Sequence, residues 1–137
     1  EATNGGGYLI SENSYSDFVL TLEFWVDEPA NSGVFIRCAD RNAIAADTCY
    51  EVNIYDQRED QTYRTGGIVD FAAPMAKIDA GGQWNTYEIR ANGTRLLVMM
   101  NGIVTIDIED SSFSEGPFAL QYGSGVVKFR NVQIQPL

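Results

Sequence analysis

Two adjacent predicted strands carry five side chains that could act together on a ligand. In NSGVFIRC, Phe35 and Arg37 alternate with apolar residues, and in YEVNIYD the residues Glu51, Asn53 and Tyr55 do the same. Alternation with a period of two places such residues on one face of a sheet. Charged, amide and aromatic groups together suit a sugar, whose hydroxyls need hydrogen-bond partners and whose C–H face stacks on rings. The alternative is a solvated face with an Arg37–Glu51 cross-strand ion pair.

The absence of histidine from the 137-residue chain limits the chemistry available to it. Ser-His-Asp hydrolysis, Cys-His proteolysis and His-ligated zinc are all excluded. Catalysis would therefore use carboxylates, Tyr, Arg, Lys or a metal held by oxygen ligands. Acidic clusters at 56–60 and 107–110 lack EF-hand spacing, so solvated loop charge is favoured and we predict no metal ligands, with Ca²⁺ as the weaker alternative.

The two cysteines, Cys38 and Cys49, lie on either side of a loop rich in Ala and Asp. Their separation is compatible with a disulfide that joins the ends of two adjacent strands, and short extracellular domains often contain such bonds. Two inert buried thiols are the alternative. A catalytic cysteine is disfavoured because no histidine is present to activate it.

The elements that would hold these residues are β-strands throughout. The segment DFVLTLEFWV alternates strictly between apolar and mixed positions, which predicts a strand with one face in a core. Asn92-Gly93 and Asn101-Gly102 each separate two strand-like runs, and Asn-Gly favours tight hairpin turns. Three consecutive antiparallel strands are therefore expected, and no run predicts a helix of useful length.

Length and charge narrow the functional classes further. A chain of 137 residues fits one domain over residues 1–137. A net charge of −10 makes nucleic acid and anionic lipid unfavourable partners. The apolar runs are too short for a membrane helix, so no membrane insertion is expected, and any export signal has been removed or omitted.

The ordered segments SDFVLTLEF, NSGVFIR, YEVNIYD, TGGIV, QWNTYEI, GPFALQYG and VKFRNVQIQPL resemble the 3-keto-disaccharide hydrolase family from about Gly7 to Leu137. The resemblance implies a concanavalin-like jelly-roll β-sandwich of two antiparallel sheets. It also implies a bacterial domain, secreted or periplasmic, that acts on glycosides oxidised at the sugar 3-position. Family members usually begin with further strands before GGGYLIS, so the chain resembles a trimmed version of the fold or a fragment.

Several site residues follow from the resemblance by matching positions. They are Asn31, Arg37, Glu51, Asn53, Thr65, Gly66 and Gln121. In the implied reaction Glu51 is the general base, and Arg37 or a bound cation stabilises the developing enolate.

Three functions stay open at this point. The first is hydrolysis of a 3-keto-glycoside, and the second is a non-catalytic carbohydrate-binding or lectin-like module on the same fold. For these first two functions the partner is a saccharide, and Phe35 and Tyr55 are expected to contact it together with the polar residues of the site. The third is a jelly-roll subunit for self-assembly, because fold does not fix function.

Overall fold

A computed structural model of the chain describes residues 6–137, which form two antiparallel β-sheets around one core. The order in the four-stranded sheet is β1 (Gly7–Ile10), β8 (Ala119–Ser124), β3 (Asn31–Ile36) and β4 (Tyr50–Ile54). The order in the five-stranded sheet is β7 (Ile103–Glu109), β6 (Arg95–Met100), β5 (Trp84–Asn92), β2 (Phe18–Val26) and β9 (Val127–Pro136). The predicted all-β sandwich is confirmed, and the first five residues of the predicted domain lie outside the described residues.

The core lies between the two sheets because alternate residues of their strands point inward. Strand β2 alternates buried and half-buried residues along its whole length, and Leu20 and Phe24 are among its buried ones. Val34 of β3 and Val52 of β4 belong to the same buried cluster. The alternation predicted for β2 and β4 is confirmed, and it leaves the opposite face of β4 available for polar side chains.

Strands β5, β6 and β7 form the predicted meander. Gly93 follows β5 with a φ of 60°, and the turn after β6 contains Asn101 and Gly102 with φ of 53° and 80°. Positive φ at both central residues is what a tight type I′ turn requires, and Asn101-Gly102 meets it. The predicted Asn92-Gly93 turn is instead centred on Gly93 and Thr94, between the paired Asn92 and Arg95, and only Gly93 has a positive φ. Asn101 also stabilises its own turn, because its Oδ1 accepts from the Thr86 backbone N–H at 2.9 Å.

Two loops border the outer face of the four-stranded sheet, which is the face turned away from the core. Residues 66–69 run beside β4, where the Asn53 N–H donates to Gly67 O at 2.9 Å and the Val69 N–H to Glu51 O at 3.0 Å. A short 3-10 turn, Gln61–Tyr63, precedes this segment. At the other end, Cys38 and Cys49 form a disulfide, as the sequence predicts. Within residues 6–137 no helix is long and apolar enough to span a membrane.

Candidate functional site

The outer face of the four-stranded sheet is organised in cross-strand rows. The first row runs through Ile10, Ala119, Phe35 and Glu51, and the second row runs through Tyr8, Gln121, Gly33 and Asn53. Directly opposed residues of antiparallel strands have their side chains on the same face. Strands from both halves of the sequence therefore build one surface.

Gly33 is buried in the middle of the second row, beneath the side chains of its neighbours. A Cβ at this position would lie 3.2 Å from Gln121 Oε1 and 3.5 Å from Glu51 Oε2. The two side-chain oxygens thus converge above a position that has no side chain of its own.

Two acceptor atoms of the second row have no hydrogen-bond partner. Among the side chains that the structure describes, Asn53 Oδ1 and Gln121 Oε1 are the buried polar atoms left unsatisfied. The orientation of the Asn53 amide is fixed because its Nδ2 donates to Tyr63 O at 2.8 Å. A buried polar atom without a partner costs about 1 to 3 kcal/mol, so such atoms commonly mark a water, ion or ligand position.

Glu51 has a carboxyl group suited to proton transfer. Burial raises the pKa of this carboxyl from its ordinary 4.5 to about 7, with Arg58 opposing the rise and Asp70 adding to it. A carboxylate that titrates near neutrality is matched to general-base work at physiological pH. Arg58 and Asp70, which act on Glu51 through their charges, come from the loop beyond β4.

The Phe35 side chain is on the outer face but is buried beneath the side chains around it. It is 1% exposed and packs with Cys38, Cys49, Ala119, Ile10 and Ile44. The disulfide loop therefore covers this end of the sheet. The Phe35 ring is enclosed in this structure, and its predicted contact with a ligand stays a prediction.

Arg37 lies away from Glu51, so the predicted sharing of one face is wrong. Strand β3 ends at Ile36, and Arg37 has a φ of 50°, which breaks the alternation. Its buried guanidinium donates to Ser16 O at 2.8 Å, Gly93 O at 2.7 Å and Asp17 Oδ1 at 3.1 Å. With 2% of Arg37 exposed, these bonds give it a structural role that joins β3 to the β5–β6 turn.

Thr65 and Gly66 are likewise used by the fold. The buried Thr65 hydroxyl donates to Asp56 Oδ1 at 2.6 Å and accepts from the Tyr55 N–H at 2.9 Å. Gly66 is buried with a φ of 91°, and its carbonyl accepts from Thr105 Oγ1 at 2.8 Å. Their groups are enclosed and bonded within the fold, and their predicted contact with substrate stays a prediction.

Asn31 and Tyr55 lie at the border of the site. A Cβ on Gly123 would be 3.1 Å from Asn31 Cγ, so the Asn31 side chain lies against the glycine that follows Tyr122 in β8. Tyr55 is half-buried, one position beyond the end of β4. Neither is brought into the two rows, and their predicted contact with a ligand stays a prediction.

Sequence reasoning missed three parts of this site: Tyr8, Arg58 and Gly33. Tyr8 stands directly opposite Gln121 and is 42% exposed, and its ring meets the Phe35 ring edge-on at a centroid distance of 5.4 Å. Its alternation with Ile10 could have placed it on a face, but only the long-range pairing of β1 with β8 shows which one. Across residues 6–137, no three His, Cys, Asp or Glu side chains are grouped as metal ligands.

Comparison with known proteins adds to this geometry. The family profile described as 3-keto-alpha-glucoside-1,2-lyase-like domain matches residues 1–135. A search of curated protein sequences gives no match.

Solved structures resemble the chain over nearly its whole length. A proposed glycosyl hydrolase from Parabacteroides distasonis is 21% identical with a TM-score of 0.86, covering 97% of this chain and 84% of its own. The carbohydrate binding module CBM66 from Bacillus subtilis is 22% identical with a TM-score of 0.76, covering 98% and 84%. A Bacillus subtilis protein with a galectin-like fold is 12% identical with a TM-score of 0.69, covering 98% and 79%. Such likenesses establish the fold, and the predicted jelly-roll sandwich is confirmed.

Proposed function

Because the chain belongs to the family of 3-keto-alpha-glucoside-1,2-lyase-like domains, we propose that it binds a saccharide on the outer face of its four-stranded sheet and cleaves glycosides oxidised at the sugar 3-position. The observation that carries the proposal is the Glu51 carboxyl, whose pKa burial raises to about 7 beside the unpartnered Gln121 Oε1. The site thus combines a base with an acceptor for sugar hydroxyls. Likeness to a proposed glycosyl hydrolase and to a carbohydrate binding module supports the substrate class.

The proposed reaction begins with removal of a proton from the carbon between the ketone and the glycosidic carbon. The ketone acidifies this C–H bond, and the Glu51 carboxylate accepts the proton while the electron pair is delocalised into an enolate. The enolate then expels the glycosidic oxygen with its bonding electrons, and that oxygen takes up a proton to leave as an alcohol. Water can subsequently add across the new double bond, which completes a net hydrolysis.

In the proposed reaction, Arg58 stabilises the developing enolate, a role that the family resemblance implies for Arg37. Its positive charge acts on the Glu51 carboxyl, and a cation near a developing enolate stabilises that charge. Its Nη1 donates to Asp60 O at 2.8 Å, which ties the side chain to its own loop. We assign Arg58 the electrostatic role and leave Arg37 as a structural residue.

The test is release of product from natural and 3-keto-disaccharides, with and without added Ca²⁺, by wild type, Glu51→Gln and Glu88→Gln. Glu88 is a matched control because it lies in β5 of the other sheet, where it pairs with Arg90 at 3.0 Å. We expect release only from keto sugars, a loss of at least about 100-fold in kcat for Glu51→Gln, and no change for Glu88→Gln. Full activity of Glu51→Gln would contradict the proposal.

A non-catalytic carbohydrate-binding module is the second candidate. The unpartnered oxygens of Asn53 and Gln121 favour it, because acceptors can hold hydroxyls without any base. Saturable binding of the same sugars without product release would select this function over the first.

A further inference from the structure

The Tyr8 ring crosses the outer face from its edge strand. Tyr8 lies in β1 and Phe35 in β3, with β8 between them, yet the two ring centroids are 5.4 Å apart at an interplanar angle of 89°. The first-row residue of β8 is Ala119, whose small side chain leaves room for the ring to reach across. The Tyr8 ring therefore lies toward the first row, which contains Glu51.

This ring has a fixed support and an accessible surface. Phe35 below it is buried against Ile44 and the disulfide, so the edge-on contact holds the Tyr8 ring in place. At the same time 42% of Tyr8 is exposed. A rigid, partly exposed aromatic ring offers contact area at a small cost in conformational entropy.

The only other exposed tryptophan or tyrosine among residues 6–137 is used differently. Trp84, in the five-stranded sheet, is 38% exposed, but the Arg130 guanidinium lies 3.6 Å from its ring centroid. A cation over a ring occupies the face on which a sugar would stack. Tyr8 is instead opposite the unpartnered acceptor of Gln121 and three positions along its row from Asn53.

We propose that Tyr8 is the stacking platform for one uncharged pyranose ring, whose C–H face lies on the tyrosine while its hydroxyls donate to Gln121 Oε1 and to the Glu51 carboxyl. This rests on the proposed function, since it assumes that the saccharide binds on this face. The two oxygens lie close together over the buried Gly33, 3.2 and 3.5 Å from where a Cβ would be, so the hydroxyls of one sugar ring can engage both. Tyr8 is then a specificity-determining residue that positions the ring and takes no part in proton transfer.

The test compares wild type with Tyr8→Phe, Tyr8→Leu and the matched control Trp84→Leu. Two quantities are measured: the Kd for sucrose by calorimetry, and kcat and KM for 3-keto-sucrose. Loss of ring stacking predicts that Tyr8→Leu raises Kd and KM about tenfold and leaves kcat unchanged. Tyr8→Phe keeps the ring and should retain wild-type values within about twofold, and Trp84→Leu should change neither constant.

A second measurement does not depend on the folding of a variant. In wild-type protein with sucrose bound, nuclear Overhauser contacts should join the Tyr8 ring protons to C–H protons of the sugar. Unchanged Kd and KM in folded Tyr8→Leu, or bound sugar without these contacts, would overturn the role of Tyr8 and leave the proposed function standing. If wild type neither binds nor converts these sugars, the proposed function fails and the platform fails with it.

Discussion

At the scale of single residues, the site depends on one carboxyl group that the fold keeps partly out of water. Glu51 lies on the polar face of β4, but the adjoining loop and Gln121 enclose it, and the nearby Arg58 charge offsets only part of the effect of burial on its pKa. A desolvated carboxylate is a stronger base than one in water, and it also destabilises the folded state when it is ionised. Reactivity and a local cost in stability therefore have the same origin.

The first consequence is a pH dependence of stability with a defined sign. The pKa of Glu51 rises from 4.5 to about 7 on folding, so the folded protein holds this proton more tightly than the unfolded chain. The destabilisation of the folded state by the ionised Glu51 carboxylate is absent below pH 4.5 and complete above pH 7. Glu51→Gln should match wild type near pH 4 and be more stable at pH 8, by at most about 3 kcal/mol.

Thermal melts of wild type, Glu51→Gln and Glu88→Gln at both pH values would measure this difference. The same titration predicts that kcat/KM of the wild type rises with pH through about 7, because only the carboxylate accepts a proton. A Glu51→Gln variant less stable than wild type at pH 8 would show that the carboxylate is a net stabilising group.

At the scale of elements, alternation predicts the faces of strands but does not predict where a strand ends. It assigns β2 and β4 correctly, since each keeps a regular extended backbone over its length. It fails at Arg37, where a φ of 50° follows the last residue of β3 and turns the side chain away. The residue types gave no signal of this turn, and the same break places Cys38 beside Phe35 instead of in the main core.

The disulfide loop provides a prediction at this scale. The Cys38–Cys49 bond closes a loop that carries Ile44 onto Phe35. Closing a loop of this length in the unfolded chain is worth roughly 3 kcal/mol. The double variant Cys38→Ala with Cys49→Ala should therefore unfold at lower denaturant concentration, by about 2 to 3 kcal/mol.

Chemical denaturation of the double variant and of wild type, each with and without reductant, would measure the effect. Reductant should destabilise wild type and leave the variant unaffected, which makes the variant its own control. Equal stability of the two proteins would mean that the packing of Ile44 and Ala119 alone holds the loop.

The expected secreted or periplasmic location stays a prediction from the sequence.

At the scale of the whole molecule, the sequence predicts the fold class and part of the candidate site. The alternation of YEVNIYD identified Glu51 and Asn53, and the family resemblance added Gln121. It did not find Tyr8 because β1 pairs with β8, more than 100 positions along the chain, as in Tyr8↔Gln121. Local patterns do not encode which distant strands become neighbours, whereas they do encode the turns of the β5–β7 meander.

The net charge of −10 predicts discrimination against anionic sugars. A uronic acid analogue of a bound disaccharide should bind more weakly than the neutral sugar at about 10 mM salt, because the summed negative potential opposes it. The difference should shrink near 1 M salt, where the screening length falls from about 30 Å to about 3 Å. Affinities of both sugars at the two salt concentrations test this, and a difference that salt does not change would assign the discrimination to direct contacts.

The pairing of β2 with β9 has a consequence for the kinetics of folding. Phe18 pairs with Pro136 and Val26 with Val127, so one of the two neighbours of β2 is β9, which follows all the other strands of the sheet in chain order. Such non-local topologies fold slowly, on the order of milliseconds to seconds. During synthesis, the meander is the part of the five-stranded sheet that can form early. We expect the five-stranded sheet to be completed only after β9 has left the ribosome. The rate at which β9 then pairs with β2 sets how long the edge of β2 is exposed to other chains.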